Sequence, residues 1–203
     1  MVPQSVVTLF AGATGWEWPA SPGILRWWLA GPLIAASLHV FEEFVYPGGF
    51  RAWYASYRPE IASSLSARYL VLINAIMLVV CALIALAGPS PNGAANWFVM
   101  TSILFWNAVF HVRAVIRTRS YSPGVVSAVL LYVPLAVFGS FRLVESKLVP
   151  WTIALLCFGI GSCYQAFSLR NHRRRAGHGT EDHLHPRGIV ESAEVPVKSK
   201  IAP

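Results

Sequence analysis

Residues 24–45 read ILRWWLAGPLIAASLHVFEEFV, an apolar run that ends on a histidine and two glutamates. At a rise of about 1.5 Å per residue, a helix of roughly 20 residues crosses a hydrocarbon core about 30 Å thick. This run is long enough, and its Pro32 is a kink that spanning helices tolerate. The run therefore predicts a transmembrane helix carrying ionisable groups inside its last turns.

Four further apolar runs follow, at residues 69–87, 95–116, 124–141 and 150–169. The expected fold class is thus all-α, a polytopic membrane helix bundle of about five transmembrane helices. The run at 124–141 is the shortest and contains Pro134. Ahead of it, Ser122-Pro123-Gly124 predicts a helix start, with Ser122 as N-cap and Pro123 at the first helical position. The chain divides into an extracytoplasmic segment at 1–23, a transmembrane domain at 24–170 and a disordered cytoplasmic tail at 171–203. The tail holds His172, His178, His183 and His185, which read as solvated histidines in preference to a weak metal-binding tract.

Composition agrees. With 55% hydrophobic and 12% charged residues in 203, the chain is too apolar for an ordinary soluble domain. A net charge of +7 raises the question of nucleic acid. The basic residues, however, stand at the ends of apolar runs and in the tail, without the interleaved aromatics of a strand-binding groove, so no nucleic-acid partner is expected. The placement of arginine instead sets an orientation. Arg51, Arg58 and Arg68 follow the first run, Arg113, Arg117 and Arg119 close the third, and Arg170 with Arg173-Arg174-Arg175 follows the fifth. The positive-inside rule then puts the N-terminus out and the C-terminus in the cytoplasm of a multi-pass plasma-membrane protein.

The N-terminus lacks a positive region, and its apolar stretch at 5–13 is short, so membrane insertion is expected to use the first span. Trp27, Trp28, Trp97 and Trp151 fall at outer ends and Trp53, Tyr54 and Tyr57 follow an inner end, a distribution expected of interface anchors. Cys81, Cys157 and Cys163 form no CxxC pair and read as packing residues.

The polar residues within the runs carry the functional signal. His39 shares a helix face with Glu42 or Glu43, which diverge from each other by about 100°. Asn107 and His111 are four apart in the third run, and Asn74 lies early in the second. By the helical rise, His39 lies about 10 Å from Tyr46, Asn74 about 7 Å from Tyr69 and His111 about 9 Å from Arg117. Three helices thus bring polar groups to one depth, on the cytoplasmic side. Two imidazoles and a carboxylate suit a divalent metal, Zn²⁺ first, with a coordination position left for water. His39, Glu43 and His111 are the expected ligands, Glu42 and Glu43 the catalytic carboxylates, and Asn74 and Asn107 the groups that orient them. Without metal, the same set forms an acid–base relay or a helix-packing lock. No phosphate-binding loop, dinucleotide fingerprint, nucleophile elbow or HExxH helix is present.

The strings HVFEE at 39–43, LVLINAIML at 70–78 and WNAVFH at 106–111, with Tyr121-Ser122-Pro123-Gly124, resemble the HXXEE-domain family of mostly uncharacterised bacterial integral membrane proteins. The resemblance covers residues 33–137 and implies a membrane protein with these polar positions, without an assigned reaction or ligand. Two expectations follow from the residues. The first is a metal-dependent membrane enzyme acting on a lipid-like or membrane-borne substrate in the bilayer. The alternative is a non-enzymatic transporter, proton-relay channel or partner subunit. The sequence does not set the oligomeric state.

Overall fold

The computed structural model describes residues 22–184, and side chains within 23–175. Residues 1–21 of the expected N-terminal segment and the tail beyond Leu184, with His185, lie outside the described residues, as do the side chains of His178 and His183.

The described residues form an all-helical bundle with no strand. Five helices are long and apolar enough to cross a membrane. They are α1 (Pro22–Phe44), α3 (Ala67–Ala87), α4 (Pro91–Thr118), α5 (Val125–Glu145) and α6 (Trp151–Leu184). A short helix α2 (Phe50–Tyr57) and a 3₁₀ segment (Pro59–Ser64) lie between α1 and α3. Outward faces are hydrocarbon-like: Leu72, Val79, Leu83 and Leu86 on α3 and Leu155, Leu156 and Ile160 on α6 are exposed. In water such a continuous apolar surface would drive association, whereas in a bilayer it is solvated by lipid tails.

Element ends follow local chemistry. Ser66 caps α3 by accepting from Tyr69 N–H at 3.2 Å, and Ser90 caps α4 by accepting from Gly93 N–H at 3.0 Å. With Pro91 in the first turn, this signal starts α4 earlier than the hydropathy run at residue 95. At the other end of the chain, α6 continues past Asn171 to Leu184, where a disordered tail was expected to begin. Tertiary contacts hold its exit: His172 Nδ1 meets Ser64 Oγ at 2.8 Å, and the Arg175 guanidinium lies 4.4 Å from the centre of the Tyr69 ring.

The fourth span also differs from expectation at its start. Its first helical residue is Val125, and Gly124 occupies the N-cap with φ 96°. Ser122 and Pro123 therefore stand outside the helix, in a turn closed by Val125 N–H to Ser122 O at 3.0 Å. Within α5 the chain widens into π-helical turns at Ala128–Tyr132 and Leu135–Gly139, on either side of Pro134. Proline has no N–H to give, so the regular ladder is interrupted there and wider turns take over.

Two expected interface aromatics pack inward, Trp97 fully and the half-buried Trp53 in part. Trp97 is fully buried and donates its indole N–H to Trp28 O at 2.8 Å, within a core that includes Leu29, Phe98, Leu104, Tyr132 and Leu143. Trp53 stacks against His111, with ring centres 6.0 Å apart and planes at 19°. The free thiols range from buried Cys81 to exposed Cys163.

Candidate functional site

Three spans supply the cluster. On α1, His39 and Glu43 are one turn apart, and Glu43 Oε1 lies 3.3 Å from His39 Nε2. On α4, His111 brings its Nε2 to 3.3 Å from the same oxygen. The rings of His39 and His111 meet edge to face with centres 5.0 Å apart. One donor atom from each of the three residues lies within 4.8 Å of the others, and all three residues are buried. They therefore form a group that could hold a metal ion.

The third wall is the start of α5. A Cβ placed on Gly124 would stand 2.6 Å from His39 Cε1, 2.9 Å from Glu43 Cγ and 3.0 Å from His111 Cε1. Only a residue without a side chain allows the chain to press this closely on the cluster, and only glycine takes φ 96° without strain. Tyr132 closes the site from deeper in α5, its ring centre 4.8 Å from that of His39. Trp53 and Phe50 cover His111 from α2.

The hydrogen bonds set the state of His39. Ser127 Oγ donates to Gly124 O at 3.2 Å, so toward His39 Nδ1, 3.0 Å away, it acts as acceptor. The Nδ1–H tautomer follows, and Nε2 carries the lone pair. That lone pair accepts from the Asn107 amide at 2.9 Å and also faces the Glu43 carboxylate. Two electron-rich atoms at 3.3 Å repel unless positive charge lies between or beside them.

His111 makes the same demand. Its Nδ1 is bonded to Ser122 Oγ at 2.9 Å. Its Nε2 is buried and makes no aligned hydrogen bond, although Glu43 Oε1 is within ion-pair distance. The short separation is thus a convergence of donor atoms without a directed N–H···O bond. A buried polar atom left in that condition costs about 1–3 kcal/mol in a soluble protein and several where water is absent.

Glu42 has a different setting. Its Oε1 accepts from Tyr121 O–H at 2.6 Å and Val126 N–H at 3.0 Å, and its Oε2 accepts from Ser127 N–H at 2.7 Å. The carboxylate caps the first turn of α5, where unpaired N–H groups favour negative charge. Tyr121, in the turn before α5, has its hydroxyl pKa pushed up to about 12 by burial and by the adjacent Glu42 carboxylate, so it remains a donor.

The remaining expected residues separate. Asn107 reaches the cluster through His39. Asn74 is half-buried, but its amide donates to Leu70 O, one turn back on its own helix, at 2.9 Å. Ser122, Gly124, Ser127 and Tyr132 were not singled out from the sequence as site residues. Their signal was the SPG turn and a polar residue in the first turn of an apolar span.

The family described as a protein of unknown function with HXXEE motif matches residues 28–139, more than half of the chain. Neither a curated protein nor a solved structure matches.

Proposed function

The chain belongs to the HXXEE family, and from that premise we propose that it is a metal-dependent membrane enzyme acting on a lipid-like substrate. The observation that carries this reading is the convergence of His39 Nε2, Glu43 Oε1 and His111 Nε2, with the last buried and making no aligned hydrogen bond. For ligand bonds of about 2.0–2.2 Å, the edges of a tetrahedral site would measure roughly 3.3–3.6 Å. The two edges through Glu43 already have that length, at 3.3 Å. His39, Glu43 and His111 would hold the cation, and the Asn107 amide, now on His39 Nε2 at 2.9 Å, would have to release that lone pair to it.

Bound there, Zn²⁺ would supply an acidified water as nucleophile. The protein's own groups set up that chemistry. Ser127 holds the His39 tautomer, Ser122 orients His111, and the aromatic cover of Trp53, Phe50 and Tyr132 keeps bulk water out. Glu43 is the ligand and the carboxylate nearest the chemistry. Glu42, expected to be the second catalytic carboxylate, is better suited to positioning, because three donors already engage it. The arginine distribution supports a site on the cytoplasmic side of the plasma membrane, with the N-terminus out and the C-terminus in.

One observation favours a second reading. Asn107, His39, Glu43 and His111 follow one another at 2.9, 3.3 and 3.3 Å, a spacing that a proton relay of a channel or transporter would use once protons bridge the two carboxylate contacts. Reconstitution in mixed native lipids with and without chelator, followed by mass spectrometry of the lipids, tests the proposal. The expected result is a zinc-restorable change in one lipid class, lost in Glu43→Gln. Proton flux in liposomes, abolished by Glu43→Gln and indifferent to chelator, would replace the enzyme with the relay.

A further inference from the structure

On α6 the exposed residues Leu156, Ile160, Cys163, Phe167, Arg170 and Arg174 recur at alternating steps of four and three, which places them in one stripe along the helix. The stripe is apolar as far as Phe167 and basic from Arg170 onward. Arg173, also exposed, stands one turn beyond Arg170 on the same side. The opposite side of this turn is anchored, by His172 Nδ1 on Ser64 Oγ at 2.8 Å and by the Arg175 guanidinium over the Tyr69 ring. Those contacts fix the direction of the stripe, which faces away from the bundle.

Depth explains the change of character. Counting from Trp151 at the start of α6, the helical rise is about 29 Å to Arg170 and about 33 Å to Arg173. A hydrocarbon core about 30 Å thick ends between them, so their guanidinium groups reach the level of lipid phosphates. Charge at this level is one-sided. Among the described side chains the carboxylates are engaged elsewhere: Glu42 on the α5 turn, Glu43 in the cluster, Glu60 with Arg58 at 3.7 Å and Glu145 with Arg142 at 2.7 Å. We propose that the stripe binds a phospholipid of net negative charge, its acyl chain along Leu156, Ile160 and Phe167 and its phosphate held by Arg170 and Arg173. A guanidinium presents parallel N–H donors that match a phosphate. A zwitterionic lipid brings its own ammonium to the phosphate and gains less from the pair. The inference stands apart from the metal reading, because it uses none of the residues of that site.

Native mass spectrometry of the full-length protein, released from membranes of equal phosphatidylglycerol and phosphatidylcholine, counts the lipids it retains. At about fivefold per arginine near an anionic surface, the pair predicts phosphatidylglycerol retained over phosphatidylcholine by on the order of tenfold or more. Arg170→Gln combined with Arg173→Gln should lower that ratio at least about fivefold. Arg113→Gln combined with Arg117→Gln removes the same charge from the end of α4 and should leave the ratio within about twofold. As a second measurement, added phosphatidylglycerol should raise the melting temperature of the unsubstituted protein in detergent and leave that of the Arg170→Gln, Arg173→Gln protein where it was. Equal retention of the two lipids, or an equal loss in the α4 pair, would reduce the stripe to the general positive charge of this membrane face and overturn the proposal. Inorganic phosphate displacing the bound lipid as well as phosphatidylglycerol does would overturn the assignment of a lipid.

Discussion

Replacing Gly124 with alanine should disable the cluster more than it harms the bundle. The new methyl would lie 2.6–3.0 Å from carbons of His39, Glu43 and His111. Carbon atoms in contact prefer about 3.5–4.0 Å, so these side chains must retreat by roughly 0.5–1 Å. Forced overpacking of this kind costs about 1–3 kcal/mol. The left-handed backbone at φ 96° adds about 1–2 kcal/mol once a Cβ is present. A combined loss of about 2–5 kcal/mol is expected. Metal geometry is less forgiving than stability, because ligand distances hold within about 0.2 Å. Zinc affinity should therefore fall by an order of magnitude or more, on the scale of other losses of ligand orientation. Gly49→Ala is the matched control. Gly49 also has positive φ, at 86°, yet a Cβ there would meet nothing within 4 Å. That variant should lose about 1–2 kcal/mol and bind zinc as the unsubstituted protein does. Thermal unfolding in detergent, with zinc titrated against a competing chromophoric chelator, measures both quantities. Unchanged zinc affinity in Gly124→Ala, or an equal loss in Gly49→Ala, would refute the argument that the turn packs against the donors.

Three further outcomes follow. Asn107→Asp should bind zinc more tightly, on the order of tenfold, because a carboxylate would replace an amide that occupies the His39 lone pair; weaker binding in the same titration would place Asn107 outside the loaded site. Tyr121→Phe removes a hydrogen bond to a charged carboxylate and should cost about 1.5–3 kcal/mol near neutral pH. Since the Tyr121 hydroxyl moves from its ordinary 10.0 to about 12 in the fold, the unfolded chain loses that proton first. The contribution is therefore complete below pH 10 and fades toward pH 12, so the stability gap to Tyr121→Phe should narrow across that window in pH-dependent melting. Asn74→Ala removes an amide bonded only to its own helix, so zinc binding should not change, and a lost zinc site would show that depth alone had identified a ligand partner correctly.

Helix number was legible because a span needs only length and uniform apolarity, which residues 69–87 or 150–169 display without reference to the rest of the chain. The triad was legible for a similar reason. His39 and Glu43 are fixed relative to each other by one helical turn, and His111 lies at a matching depth on another helix. Depth did not distinguish Asn107, which reaches His39, from Asn74, which turns back to Leu70 O. That choice depends on side-chain reach and on the local carbonyl available. The roles of Glu42, Ser122, Gly124 and Ser127 were hidden further. Each depends on how the α4–α5 turn docks on α1, and Ser122-Pro123-Gly124 in isolation reads as an ordinary serine-capped helix start. In the fold the serine serves His111, the glycine serves as cap, and Glu42 supplies the capping charge from another helix.

The central claim is that His39, Glu43 and His111 hold one divalent cation. X-ray absorption at the zinc edge, on protein purified without chelator and loaded to one equivalent, tests it directly. The account predicts two imidazole nitrogens and oxygen donors at about 2.0–2.2 Å, with the zinc signal lost in His39→Ala, Glu43→Gln and His111→Ala alike. A signal that survives all three substitutions, or a protein that retains no zinc after loading, would contradict it.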